Sequence, residues 1–280
     1  MILSFSSGVS EVSSATLALG VASTLAGVSY GVAALLREGS TRALRAALLV
    51  AWLAHALAIA VDIGGLGAGP STGARFGFAP ALSMTLWLVL AVYGIESRYV
   101  PLPGARRPLA CLGVAAVALA WAFPGELRPS APSAWAPVHW VLGLASYGLF
   151  GAAVLHAAML SRAEGLLRRK AAAPHRAPSG VPLLHLERLT FRFVGAGFVV
   201  LSAALLLGAW FADPWRWDYK IVFSMLAWIV FAGLLAGRRA FGWRGPLATR
   251  WLYAGALLLL LAYVGSRFVL EVMLHSAPGA

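Results

Sequence analysis

The chain alternates long apolar runs with short stretches that are polar, basic or rich in proline and glycine. Eight runs stand out: Ser14–Leu36, Ala43–Gly65, Phe76–Ile95, Pro108–Phe123, Val138–Leu160, Phe193–Ala212, Ile221–Gly237 and Trp251–Leu274. None shows the two-residue alternation of a half-buried or barrel strand. A helix needs about 20 apolar residues to cross a bilayer, and in lipid only helices or closed barrels satisfy their own backbone. The fourth and seventh runs are shorter but are bounded by charge or proline, so they count as spans. The pattern predicts an all-α, polytopic membrane bundle of about eight transmembrane helices, with residues 1–280 forming one integral membrane domain. The first run has no basic stretch ahead of it, only Glu11, and reads as a retained helix rather than a signal peptide. Ser161–Arg192, rich in Ala, Pro and Arg, reads as a solvated linker between two halves of the bundle. Gly27 and Gly31 form a GxxxG in the first run, a mark of close helix packing.

Composition agrees: 60% of residues are apolar and 11% charged, against roughly 45–50% and about 25% in soluble domains. A soluble enzyme, a secreted disulfide scaffold and a disordered chain are excluded. Charge adds orientation. Seventeen of the 22 basic residues fall in the connections after the first, third, fifth and seventh runs. Arg75, Arg128, Arg216, Lys220 and Arg267 fall at the opposite end. By the positive-inside rule both termini are then external. The same rule accounts for the net charge of +12, so no nucleic-acid partner is implied. The single cysteine, Cys111, supplies no disulfide, CxxC pair or haem-attachment motif.

Three features carry candidate chemistry. The stretch Trp210–Lys220 places five aromatics among Asp213, Arg216, Asp218 and Lys220. It is either a platform for a planar ligand, with Arg216, Lys220 or Arg267 pairing its carboxylates, or an interfacial aromatic belt. His139, at the external mouth of the fifth run, is either a solvated interfacial residue or a ligand for a metal or haem iron. His55 lies about ten residues inside the second run, roughly 15 Å deep, where an ionisable group points to function by default. Asp62, two turns on, shares its face. The alternative for His55 is a neutral ring hydrogen-bonded inside the bundle. His156 is expected at the interface, His175, His185 and His275 in loops or the tail, and Arg267 paired with Glu271 at i,i+4. No HExxH, Walker or GxSxG signature occurs.

Trp215-Arg216-Trp217-Asp218, lying between two spans and followed by Lys220, resembles the WxWD core of the tryptophan-rich loop in the cytochrome c assembly (CcsA/CcmC-type) membrane proteins. His139-Trp140 with Ser146-Tyr147-Gly148 is similar to that family's external histidine and the helix behind it. Trp228, Gly242-Trp243-Arg244-Gly245 and Ala262–Arg267 are similar to its C-terminal half. The resemblance spans most of residues 43–274 and is nearest a smaller HemX/YpjD-like branch. Phe211-Ala212 stand where the family pattern has Trp-Gly, Ile221 where it ends in an acid, and Ser266 near where a second external histidine is expected.

The resemblance implies a haem-handling protein of the cytoplasmic (inner) membrane acting in cytochrome c biogenesis. Trp215, Trp217 and Asp218 would form the haem platform, with His139 and His55 as iron ligands. These two differ in depth by more than one haem iron bridges, and Met84 is a candidate second ligand at the depth of His55. No covalent catalysis of its own is expected. The implied partners are the lipid bilayer, haem, and another assembly subunit or apocytochrome c. Two alternatives are a haem-free scaffolding or regulatory subunit of the same fold and a proton-coupled small-molecule transporter using the His55/Asp62 face.

Overall fold

The computed structural model describes residues 14–36, 41–62, 74–98, 104–128, 135–171, 183–210 and 217–269. Its helices are α1 (Ser14–Leu35), α2 (Thr41–Asp62), α3 (Phe78–Glu96), α4 (Arg106–Ala122), α5 (Ala136–Ala171), α6 (Leu183–Trp210), α7 (Tyr219–Phe241) and α8 (Gly245–Leu260). After α8 the helix widens into a π turn at Leu261–Gly265 and closes with a short turn, α9, at Ser266–Phe268. Among the described residues seven helices are long and apolar enough to cross a membrane, the last including the π turn. The eighth, α4, has 17 residues, about 26 Å at 1.5 Å per residue, and carries Pro108 within its first turn, where proline is tolerated. The chain is an all-α polytopic membrane bundle of about eight helices.

Helix α1 shows how these helices pack. Ala22, Ala26, Tyr30 and Ala33 are buried, whereas Leu17, Val21, Leu25, Val28 and Val32 are exposed. Helix α2 repeats this with Ala51, Ala54 and Ala58 inside and Leu49, Leu53 and Leu57 outside. In lipid the outer face gains nothing by being polar, so residue size separates the faces: small side chains let backbones approach and large ones meet the hydrocarbon. Gly113 of α4 is one point of close approach, since a Cβ there would lie 2.9 Å from the Tyr30 ring. Gly27 and Gly31 are not; among the described residues a Cβ at either would meet nothing within 4 Å, so the GxxxG marks no close approach there.

Two further expectations are corrected. Helix α5 continues to Ala171 and α6 begins at Leu183, so only residues 172–182, outside the described set, are left of the linker foreseen at Ser161–Arg192. Ala, Leu, Arg, Lys and Glu are all strong helix formers, so charge ends the apolar run without ending the helix. His185 accordingly lies in α6 rather than in a loop. The structure also adds a small antiparallel ribbon, β1 (Ala74–Phe76) with β2 (Glu126–Arg128), pairing Arg75 with Leu127. It ties the α2–α3 and α4–α5 connections together at the end of the bundle that carries Asp218.

His156, expected at the interfacial end of its helix, is wholly buried within the bundle. Its Nδ1 lies 2.7 Å from the Ala152 carbonyl and its Nε2 2.6 Å from Glu96 Oε2, and the ring stacks on Phe193. The pair clamps the arginine-rich end of α3 to α5. Removing one partner of such a pair strands the other in low dielectric. His156→Leu should therefore lower stability by about 2–3 kcal/mol, read as denaturant unfolding in detergent, and the double variant Glu96→Leu/His156→Leu should recover most of that loss.

Candidate functional site

At the opposite end, the start of α3, the start of α5, the start of α7 and the π turn converge on an open cleft. It spans about 860 Å³ when the solvent at its mouth is included. Its walls include His139, Trp140, Tyr147, Lys220, Tyr263 and Arg267, and Gly77, Pro80, Ala81, Gly143 and Leu144 complete an apolar lining.

His139 sits in the first turn of α5, half-buried, with Nδ1 2.9 Å from the Ala204 carbonyl of α6. A carbonyl only accepts, so Nδ1 carries the proton and, in the neutral ring, Nε2 carries the lone pair. A carbonyl that accepts the N–H of one ring nitrogen fixes the tautomer and orients the other nitrogen for metal ligation. The ring fits because Gly208 faces it: a Cβ there would lie 2.8 Å from His139 Cε1.

Arg267 is brought to the cleft by the π turn, a local widening often found at functional sites. It is 3% exposed, Nη1 donates to Glu126 Oε2 at 3.0 Å, and Nε is buried without a hydrogen-bond partner among the described residues. Glu126 is not the expected partner; Glu271 lies outside the described residues, and the contact spans 141 positions of sequence. Nothing in the Pro-Gly-Glu-Leu-Arg stretch signalled it. Lys220, in the first turn of α7, stands 5.7 Å from the Tyr263 ring centre. Tyr147 donates its hydroxyl to the Leu259 carbonyl beside the π turn.

The other expected site residues are distributed differently. Asp218 caps α7: its Oδ1 accepts from the Ile221 amide at 3.0 Å with an extended backbone. Trp217 is 68% exposed and does not line the cleft; with Trp121, Trp135, Trp210 and Tyr219, all exposed at this end, it forms an aromatic belt. Trp215 and Arg216 lie outside the described residues. His55 lines a separate, smaller cavity with Asp62, Ser83 and Trp121. Its ring is 1% exposed, with Nδ1 3.2 Å from the Tyr30 hydroxyl and Nε2 2.7 Å from Ser83 Oγ. Asp62 pairs with Arg75 at 3.4 Å. The structure thus brings His139, Lys220 and Arg267 together and leaves His55 apart. Met84, half-buried beside Ser83, does not line the His139 cleft. Among the described residues no cluster of three or more His, Cys, Asp or Glu could hold a bare metal ion.

The profile of the cytochrome C assembly protein family matches residues 22–274. The chain is 26% identical over 232 residues to the cytochrome c biogenesis protein CcsA of Parasynechococcus marenigrum (strain WH8102), covering 70% of this chain and 74% of that protein. It is 34% identical over 139 residues to the inner membrane protein YpjD of Escherichia coli (strain K12), covering 49% of this chain and 52% of that protein. To CcsA of Prochlorococcus marinus (strain NATL1A) it is 33% identical over 96 residues, covering 32% and 30%. No solved structure matches. The chain belongs to the cytochrome C assembly protein family and is a multi-pass protein of the inner membrane.

The cap separates two roles for Asp218. Asp218→Ala should cost about 1 kcal/mol and speed hydrogen exchange in the first turn of α7, whereas Asp218→Asn should retain protection. Equal exchange in both variants would assign the carboxylate to something other than the helix start.

Proposed function

We propose that this member of the cytochrome C assembly protein family holds haem in the His139 cleft, at the external face, during cytochrome c biogenesis. The observation that carries this reading is the convergence, in one apolar-walled cleft, of an oriented imidazole with two cations. His139 offers Nε2 as an iron ligand, its tautomer held by the Ala204 carbonyl. Lys220 and Arg267 suit the two carboxylates of a porphyrin, and the buried Arg267 Nε is a donor with no partner among the described residues, the kind of atom a ligand oxygen satisfies. Trp140, Tyr147 and Tyr263 supply flat walls for a planar ring. The residues present therefore fit haem.

Bound there, haem would supply an iron centre and a vinyl-bearing ring to be passed on; the chain's own residues bind, orient and shield. Helix α5 and the π turn provide rigid walls, so the site works by positioning, without covalent catalysis. Apocytochrome thiols and their reductant must come from partners, either another assembly subunit or apocytochrome c itself. His55 is assigned to the bundle interior as a hydrogen-bonded tie, because ligation would require it to leave Ser83 or Tyr30. The external placement of the cleft rests on the charge distribution, with the arginine-rich end inside.

Haemin titrated into the purified protein should give a Soret band. His139→Ala should shift that band, and Gly208→Leu, which displaces the ring, should weaken haemin affinity on the order of 10- to 100-fold. Arg267→Gln should weaken it about tenfold. Wild-type protein that takes up no haemin, yet still co-purifies with an assembly partner, would instead support a haem-free scaffolding subunit.

A further inference from the structure

Helices α2 and α3 touch closely at one level and part below it. At that level Trp52 and Trp87 stack with ring centres 4.7 Å apart and planes 13° apart. Each indole N–H donates to the other residue's backbone carbonyl, at 3.2 and 3.1 Å. Towards the arginine-rich end the two helices leave an open groove of about 1,070 Å³, solvent at its mouth included, running from Trp52 to Arg45 on α2 and from Leu90 on α3 to Arg98 in the turn after it. Seven residues of helix make it about 10 Å long along α2.

The walls of the groove are apolar and open sideways, with Leu49 53% and Ile95 61% exposed. In a bilayer such a side opening faces hydrocarbon, so an acyl chain is its natural filling. The mouth is different. Arg45, on α2, and Arg98, in the turn that follows α3, are both exposed and stand there; no acidic residue lines the groove, and neither arginine is in an ion pair among the described residues. The nearby acid, Glu96, is engaged with His156. Two guanidinium groups over an apolar slot suit one occupant, a phosphate headgroup with its chains below it.

We propose that this groove is a binding site for an anionic phospholipid, with the phosphate between Arg45 and Arg98 and an acyl chain running up to the Trp52–Trp87 clasp. The site is separate from the His139 cleft and independent of haem. It makes the lipid a wedge that holds α2 and α3 apart at this end while the tryptophans hold them together above.

Trp52 reports on the groove. In phosphatidylcholine vesicles doped with phosphatidylglycerol brominated on its acyl chains, the fluorescence component missing from Trp52→Phe should be quenched at a mole fraction on the order of tenfold lower than with brominated phosphatidylcholine. Arg45→Gln/Arg98→Gln should abolish that preference. Arg168→Gln/Arg188→Gln, which removes the same charge from exposed positions of α5 and α6, should retain it. Equal quenching by the two lipids in the wild type overturns the proposal, even if the double variant fails to fold. So does loss of the preference in the control pair, which would make it a property of the whole basic surface. Abolition by inorganic phosphate would assign the arginines to a soluble anion and overturn it as well.

Discussion

Water cannot complete a hydrogen bond in the interior of a bilayer, so every buried polar side chain must find its partner on another part of the protein. Three histidines turn this requirement into architecture. His55 joins α2 to α1 through Tyr30 and to α3 through Ser83. His156 joins α5 to α3 through Glu96. His139 joins α5 to α6 through the Ala204 carbonyl. Helices in lipid gain little from apolar contact alone, because lipid tails are as apolar as leucine. Ties of this kind, with small residues such as Gly113 and Gly208 at the crossings, therefore set which helices neighbour which and at what depth.

The cleft inherits its geometry from those ties. With α5 held to α6 at its start and to α3 further along, His139 is fixed relative to Gly77, Pro80 and Ala81, and its proton is committed to a carbonyl. The π turn after α8 then carries Tyr263 and Arg267 to the facing wall, and Glu126 from the small β ribbon holds the guanidinium. Asp218 starts α7 and so sets where Lys220 stands. A residue of the tryptophan-rich motif thus shapes the cleft without lining it.

The candidate site was legible in part. His139, Lys220 and Arg267 were recognisable because only five of the 22 basic residues fall at that end of the spans, and their spacing against the eight runs puts them there together. The Arg267–Glu126 contact was not legible: it spans 141 positions, and no local pattern marks a glutamate that opens a three-residue strand after Pro-Gly. The burial of His156 was not legible along α5 alone, since it comes from Glu96 on α3 and Phe193 on α6. The partition of His55 and His139 into separate cavities was foreshadowed by their depths, yet Tyr30 and Ser83 as partners could come only from helix neighbours.

By itself the sequence determined the class of molecule. Runs of about 20 apolar residues leave a chain no soluble solution, and the backbone in lipid leaves it helices. The faces of those helices were decided only by tertiary structure. In α1 and α2 both faces are apolar, so hydrophobicity carries no period that could say which side is inside; size does, but only against a neighbour. The widened turn at Leu261–Gly265, the ends of α5 and α6 and the gap between α2 and α3 depend likewise on contacts made across the bundle. A bilayer tells the chain what its residues must be made of, and only the other helices tell each residue what it will touch.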